Sequence, residues 1–235
     1  MTTRIRGVLF DKDGTLADYA NTWPPAFRAA AADLAEVAGD PALAETLLRL
    51  AGYDADGVLD PASVLACGTT EELVALWAAR PEVAAIADAA ERVDRVFMAF
   101  SSRAPAVVAD LAALLGRLRS RGLALGVATN DGAAPAQAWL AHAGIDRLFD
   151  FVAGADSGHG GKPGPGMARA FCAATGLKMA EVAVVGDAVN DLRMARAAGA
   201  GLAVGVLTGI AGRAALAPLA DHVLASVADI ESILP

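Results

Sequence analysis

Ile5-Arg6-Gly7-Val8-Leu9-Phe10-Asp11-Lys12-Asp13-Gly14-Thr15-Leu16 is a short apolar run halted by two carboxylates and a glycine. Ile5, Val8, Leu9 and Phe10 read as a buried strand, and Gly14 suits the tight turn that ends it. Residues two apart in extended chain point to the same side, so Asp11 and Asp13 can approach one metal and one substrate. A nucleophile and a proton donor would be placed in this way. The alternative is a polar loop in which either Asp caps a helix.

Short apolar runs recur at Leu123 to Ala128, Val182 to Val185 and Leu202 to Val206, each with the unbroken hydrophobicity of a buried parallel strand. Helical stretches lie between them: Val107 to Arg121, Pro135 to Ala143 and Leu192 to Ala198, each followed by glycine. From about residue 105 onward the alternation predicts an α/β fold, a doubly wound, Rossmann-like parallel sheet with ligands beyond the carboxyl ends of its strands.

Leu16 to Phe100 contains no strand-like run. Thr69 with Glu72 forms a capping box before Leu73, Leu76 and Trp77, and Pro81 opens a further helix to about Phe100. The expected organisation is a core domain from residues 1–16 and 101–235, interrupted by an all-helical domain over 17–100.

Three later segments carry chemistry. Thr129-Asn130, directly after a strand, offers a hydroxyl, an amide and backbone N–H groups for phosphate oxygens, although such residues are also common in turns. Lys162-Pro163 precedes a helical stretch of about ten residues, and a fixed ammonium there would offset repulsion between Asp11 and an incoming dianion; most lysines are simply solvated. Gly186-Asp187-Ala188-Val189-Asn190-Asp191 ends a strand in two acids. Magnesium takes oxygen ligands and keeps several waters, so Asp11, the Asp13 main-chain carbonyl and Asp187 make a sufficient protein set. Asp191 is a further ligand, direct or through water, or a helix-start charge.

These four motifs, in this order, resemble those of the haloacid dehalogenase superfamily over about Ile5 to Leu16 and Ala104 to Leu224. The resemblance implies that Asp11 attacks phosphorus, that Asp13 is general acid and base, that Thr129, Asn130 and Lys162 bind the phosphoryl group, and that Mg²⁺ sits among Asp11, Asp13, Asp187 and Asp191. It also implies that the helical insertion is a cap closing over the site, with Asn21, Trp23, Arg28 and the loop Asp54 to Thr70 as recognition candidates. The arrangement is most similar to the phosphoglycolate phosphatase branch, so a small phosphorylated metabolite is the expected substrate. A sugar phosphatase or a β-phosphoglucomutase-like phosphotransferase keeps the same motifs.

Other classes fit less well. Dehalogenation does not need Asp13. Phosphonate hydrolysis would need a lysine in the insertion, and the lysines are Lys12, Lys162 and Lys178. A non-catalytic phosphate-binding module would be expected to lack Asp11 or Asp13. A net charge of −8 without a basic run disfavours nucleic acid and anionic membrane as partners. No stretch of about 18 apolar residues occurs, and Asp11 to Asp13 interrupts any signal-peptide pattern after Met1. Cys67 and Cys172 match no metal spacing or disulfide framework, so the expected compartment is the cytoplasm. The oligomeric state stays open between monomer and homodimer. His142, His159 and His222 form no metal triad, and Trp23, Trp77 and Trp139 fit core packing.

Overall fold

The computed structural model describes residues 4–234; the opening Met1-Thr2-Thr3 of the expected core domain, and its last residue Pro235, lie outside them. Six strands form one parallel sheet in the order β3-β2-β1-β4-β5-β6: β1 Gly7–Phe10, β2 Ala124–Ala128, β3 Phe151–Ala153, β4 Val182–Gly186, β5 Leu202–Val206 and β6 His222–Leu224. β1 pairs with β2 on one side and β4 on the other. The order reverses at β1, and in such sheets the crevice beyond that reversal is where ligands bind.

β1 shows why the strands carry no polar face. Val8 and Phe10 pack with Leu111, Leu115, Leu118 and Trp139, whereas Leu9 packs with Met167, Phe171 and Leu192. The first group comes from α7 Leu111–Ser120 and α8 Ala133–His142; the second from α9 Gly166–Thr175 and α10 Val189–Ala198, with the short α11 Arg213–Leu216 nearby. A strand covered on both faces must be apolar on both. The expected glycine stops follow α7, α8 and α10, with Gly122, Gly144 and Gly199 at positive φ.

Six helices intervene between β1 and the rest of the sheet: α1 Tyr19–Ala38, α2 Leu43–Ala51, α3 Val64–Cys67, α4 Thr70–Trp77, α5 Pro81–Ala84 and α6 Ala89–Ser101. They bury their own apolar cluster, in which Trp23 stacks on Phe27 and Phe97 meets both edge-on, with centroids 5.1–5.8 Å apart. Trp77 is fully buried and donates its indole N–H to Leu47 O at 2.9 Å. The capping box is present: Glu72 N donates to Thr69 Oγ1 at 3.1 Å and Thr69 N to Glu72 Oε2 at 2.8 Å.

Two expectations are corrected. The helix read from Pro81 to about Phe100 is two, because the chain turns after Ala84 and restarts at Ala89, which lets Val83, Ile86 and Ala89 all face the insertion's apolar cluster. The helix read from Val107 begins only at Leu111. Strands β3 and β6 were not anticipated. Among the described residues no helix is long and apolar enough to cross a membrane.

Candidate active site

Asp11 leaves β1 with its N–H still donating to Val185 O at 2.8 Å, so its carboxylate emerges at the sheet's carboxyl edge. The chain then turns tightly: Leu16 N and Ala17 N both donate to Lys12 O at 2.8 Å, and Gly14 takes φ +87°. A Cβ on Gly14 would lie 2.5 Å from Asp187 Oδ2, so glycine is needed both for its backbone and for the close approach of this turn to the end of β4.

Asp187 follows β4. Its Oδ1 accepts from Thr15 Oγ1 at 3.3 Å and its Oδ2 from Ile210 N at 2.9 Å. Asp191, in the first turn of α10, accepts from Ala188 N through Oδ2 at 2.9 Å. Lys162, from the loop between β3 and α9, donates to Asp11 Oδ1 at 2.5 Å and Asp191 Oδ1 at 2.6 Å. All four side chains are buried.

This cluster is short of positive charge. Asp11, Asp187 and Asp191 bring oxygens within 4.8 Å of one another, and one ammonium faces three carboxylates. Burial, and then the neighbouring acids, push Asp11 up to about 7 against the pull of Lys162. Burial, followed by Asp11 and Asp191, raises Asp187 well above the carboxylate range. Burial alone would lower Lys162, but Asp11 and Asp191 outweigh it and raise it. Asp11 Oδ2 is buried with no hydrogen-bond partner. An oxygen-only donor set and surplus negative charge fit a hard divalent cation.

Asp13 stands apart from that trio. Its carboxylate meets Lys12 Nζ at 2.9–3.0 Å, and Lys12, fully buried, also donates to Asp131 Oδ2 at 2.9 Å. Ser101 Oγ, at the end of α6, donates to the same Asp131 oxygen at 2.9 Å. Burial would lower Lys12, but Asp13 and Asp131 together raise it; burial raises Asp13 despite Lys12. Sequence reading missed Lys12, Asp131 and Ser101. A lysine between two aspartates at a strand end was the available signal.

Thr129 closes β2, and its Oγ1 accepts from Asp131 N at 3.1 Å, which leaves its proton free to donate. Asn130 is corrected in part. It lines the cleft, but its amide is engaged elsewhere: Oδ1 accepts from Lys162 N at 2.7 Å, and Nδ2 donates to Lys162 O at 3.1 Å and Cys67 O at 2.9 Å. It braces Lys162 rather than offering its side chain to a phosphate. Asn190 Nδ2 donates to the same Cys67 carbonyl at 3.3 Å, joining core and insertion.

The cleft between sheet and insertion is lined by Asp11, Asp13, Thr129, Lys162, Asp187 and Asp191 below. Tyr19, Trp23, Leu73, Phe97 and the segment Val64–Thr70 line it above. Two recognition candidates are not in that lining. Asn21 donates to Asp18 Oδ2 at 2.6 Å as part of the α1 cap, and the Arg28 guanidinium lies over the Tyr53 ring. His159 is exposed, with its ring near Phe151.

The family model for haloacid dehalogenase-like hydrolases matches residues 5–199. A phosphoglycolate phosphatase of Salmonella typhimurium is 32% identical over 210 residues, 83% of this chain and 79% of the relative. A probable phosphatase, IndB, of Dickeya dadantii is 34% identical over 203 residues, 86% and 81% of the two chains. A crystal structure from Haemophilus somnus 129pt, described as a predicted phosphoglycolate phosphatase, superposes with a TM-score of 0.70 over the whole of both chains at 24% identity, a likeness of fold.

Proposed function

This chain belongs to the haloacid dehalogenase-like hydrolases, and from that premise we propose a magnesium-dependent phosphatase that cleaves a small phosphomonoester through a phospho-aspartate on Asp11. The observation that carries the reading is Asp11 itself, with one oxygen tied to Lys162 and the other buried and unpartnered. A carboxylate held in one orientation with a free oxygen is a positioned nucleophile.

In this scheme Asp11 Oδ2 attacks phosphorus in line. Asp13, whose carboxyl is raised above its ordinary range by burial despite Lys12, gives its proton to the leaving alcohol oxygen. The free alcohol departs and Asp13, now ionised, takes a proton from water. The resulting hydroxide oxygen attacks the same phosphorus, the bond to Asp11 breaks, and inorganic phosphate leaves with Asp11 restored. Lys162 and the Thr129 hydroxyl steady the equatorial oxygens, and Asn130 holds Lys162 in place. Asp11, Asp187 and Asp191, with the Asp13 main-chain carbonyl, would hold Mg²⁺, which supplies neutralising charge to the phosphoryl oxygens.

Residues 17–100 act as the cap domain over a core of 1–16 and 101–235. Their separate apolar cluster and their place above the cleft support this. The free thiols Cys67 and Cys172 suit a reducing cytoplasm.

The test is phosphate release from para-nitrophenyl phosphate and a panel of small esters, phosphoglycolate included, with and without Mg²⁺, and with Asp11→Asn as the blank. Magnesium-dependent release absent in the variant supports the scheme. Near-native turnover by Asp11→Asn would rule out the covalent step.

A further inference from the structure

We infer that the leaving group this site takes is an uncharged alcohol with an apolar body and a hydroxyl, and that a carboxylate on it is selected against; this rests on the phosphatase reading above. The inference starts from what faces a bound ester beyond its phosphoryl group. Tyr19, Trp23, Leu65, Leu73, Phe97 and Ile210 line that side of the cleft. Among the described residues lining the cleft the only cation is Lys162, and it is already held between Asp11 and Asp191. Lys12 is buried beneath, between Asp13 and Asp131.

The helix end at the cleft does not supply the missing charge. Thr69 and Thr70 at the start of α4 line it, but Glu71 and Glu72 occupy that helix's first turn, and Glu72 closes the capping box. Their carboxylates answer the positive end of the helix dipole. The groove that continues outward through Thr69, Thr70 and Phe97 is lined by Glu71, Glu72, Asp94 and Asp156, with no lysine, arginine or histidine among the described residues. A second carboxylate on the substrate would therefore enter against like charge and be buried without a cation to neutralise it, which is costly.

Two neutral donors are present instead. Tyr19 Oη is buried without a hydrogen-bond partner, in a residue 8% exposed, and Trp23 Nε1 is likewise buried without one in a residue 7% exposed. The Trp23 indole is fixed against the rings of Phe27 and Phe97, so Tyr19 is the freer donor. Burial pushes the Tyr19 phenol up, and nearby acids push it further, so it stays a neutral O–H. Unpaired buried donors discriminate strongly in favour of a ligand that satisfies them.

The experiment compares four esters of similar length under saturating Mg²⁺: phosphoglycolate, 2-hydroxyethyl phosphate, 2-aminoethyl phosphate and ethyl phosphate, with para-nitrophenyl phosphate as a control. The expected result is a kcat/KM for 2-hydroxyethyl phosphate at least ~10-fold above phosphoglycolate, carried in KM. Tyr19→Phe, which removes an unpartnered hydroxyl and so spares the fold, should close the gap between 2-hydroxyethyl and ethyl phosphate. Parity with phosphoglycolate, or a preference for it, overturns the inference. A preference for 2-aminoethyl phosphate overturns the uncharged assignment, and an undiminished gap in Tyr19→Phe overturns the role of Tyr19. No release from any ester, the control included, would instead remove the phosphatase reading.

Discussion

Lys12 Nζ lies 2.9 Å from Asp131 Oδ2, inside the protein, and the same ammonium holds Asp13. Two loops that follow adjacent strands, β1 and β2, are thus joined by one buried cation, and Ser101 adds the end of the helical insertion to the pair. Replacing that cation strands the buried Asp131 and the half-buried Asp13. Lys12→Met should lower stability by about 3–5 kcal/mol, read by urea unfolding monitored by fluorescence. Ser101→Ala should cost only about 1 kcal/mol, because Asp131 keeps Lys12.

Asp11→Asn should abolish turnover, by roughly 10³-fold or more, while making the metal-free protein more stable at pH 8. The wild-type carboxyl, pushed up to about 7, must ionise in an acid-rich site above that pH, and the amide need not. Calorimetry in chelator at pH 8 checks this; a variant less stable than wild type there would contradict the charge argument.

The pH dependence of the metal-free protein follows with its sign. A carboxyl raised in the folded state binds more protons than the unfolded chain does, so stability falls as pH rises. Asp11 makes its full contribution below the ordinary value of 3.8 and loses it as pH rises through about 7; Asp187 shifts in the same direction. Thermal unfolding in chelator should therefore show Tm declining across that window. Mg²⁺ at about 100 times its Kd should restore roughly 2.7 kcal/mol at pH 8 and flatten the slope.

Asn130→Ala removes three hydrogen bonds that hold Lys162 and Cys67. Phosphate release should fall by about 10- to 100-fold through misplacement of the Lys162 ammonium. Steady-state kinetics would show whether the loss follows that misplacement, since the Asn130 amide itself has no free capacity for phosphate.

Much of this architecture was legible in the sequence. The four runs that became β1, β2, β4 and β5 are apolar throughout, because both faces of each are covered, and the residues just past three of them form the site. β3 and β6 escaped notice because each is three residues long: Phe151-Val152-Ala153 is too short for periodicity, and His222-Val223-Leu224 is an edge strand. α1 lies within the segment expected to be all-helical. It runs through Pro24 and Pro25, residues that read as breakers. Lys12 had a local signal in its place between two aspartates, but its partner Asp131 did not, because a buried ion pair between residues 119 positions apart leaves no local pattern. Asn21 and Arg28 were polar residues in the right segment but on the wrong face of α1.

At residue 67 the insertion meets the core through a peptide carbonyl, which receives amide protons from Asn130 and Asn190. A joint made by the main chain is indifferent to what residue 67 carries. The Cys67 side chain lines the cleft, and its thiol reaches only Ser63 O and Pro61 O within the insertion, so exchange for another small side chain would reshape the cleft while the carbonyl grip between the two parts of the molecule stays the same.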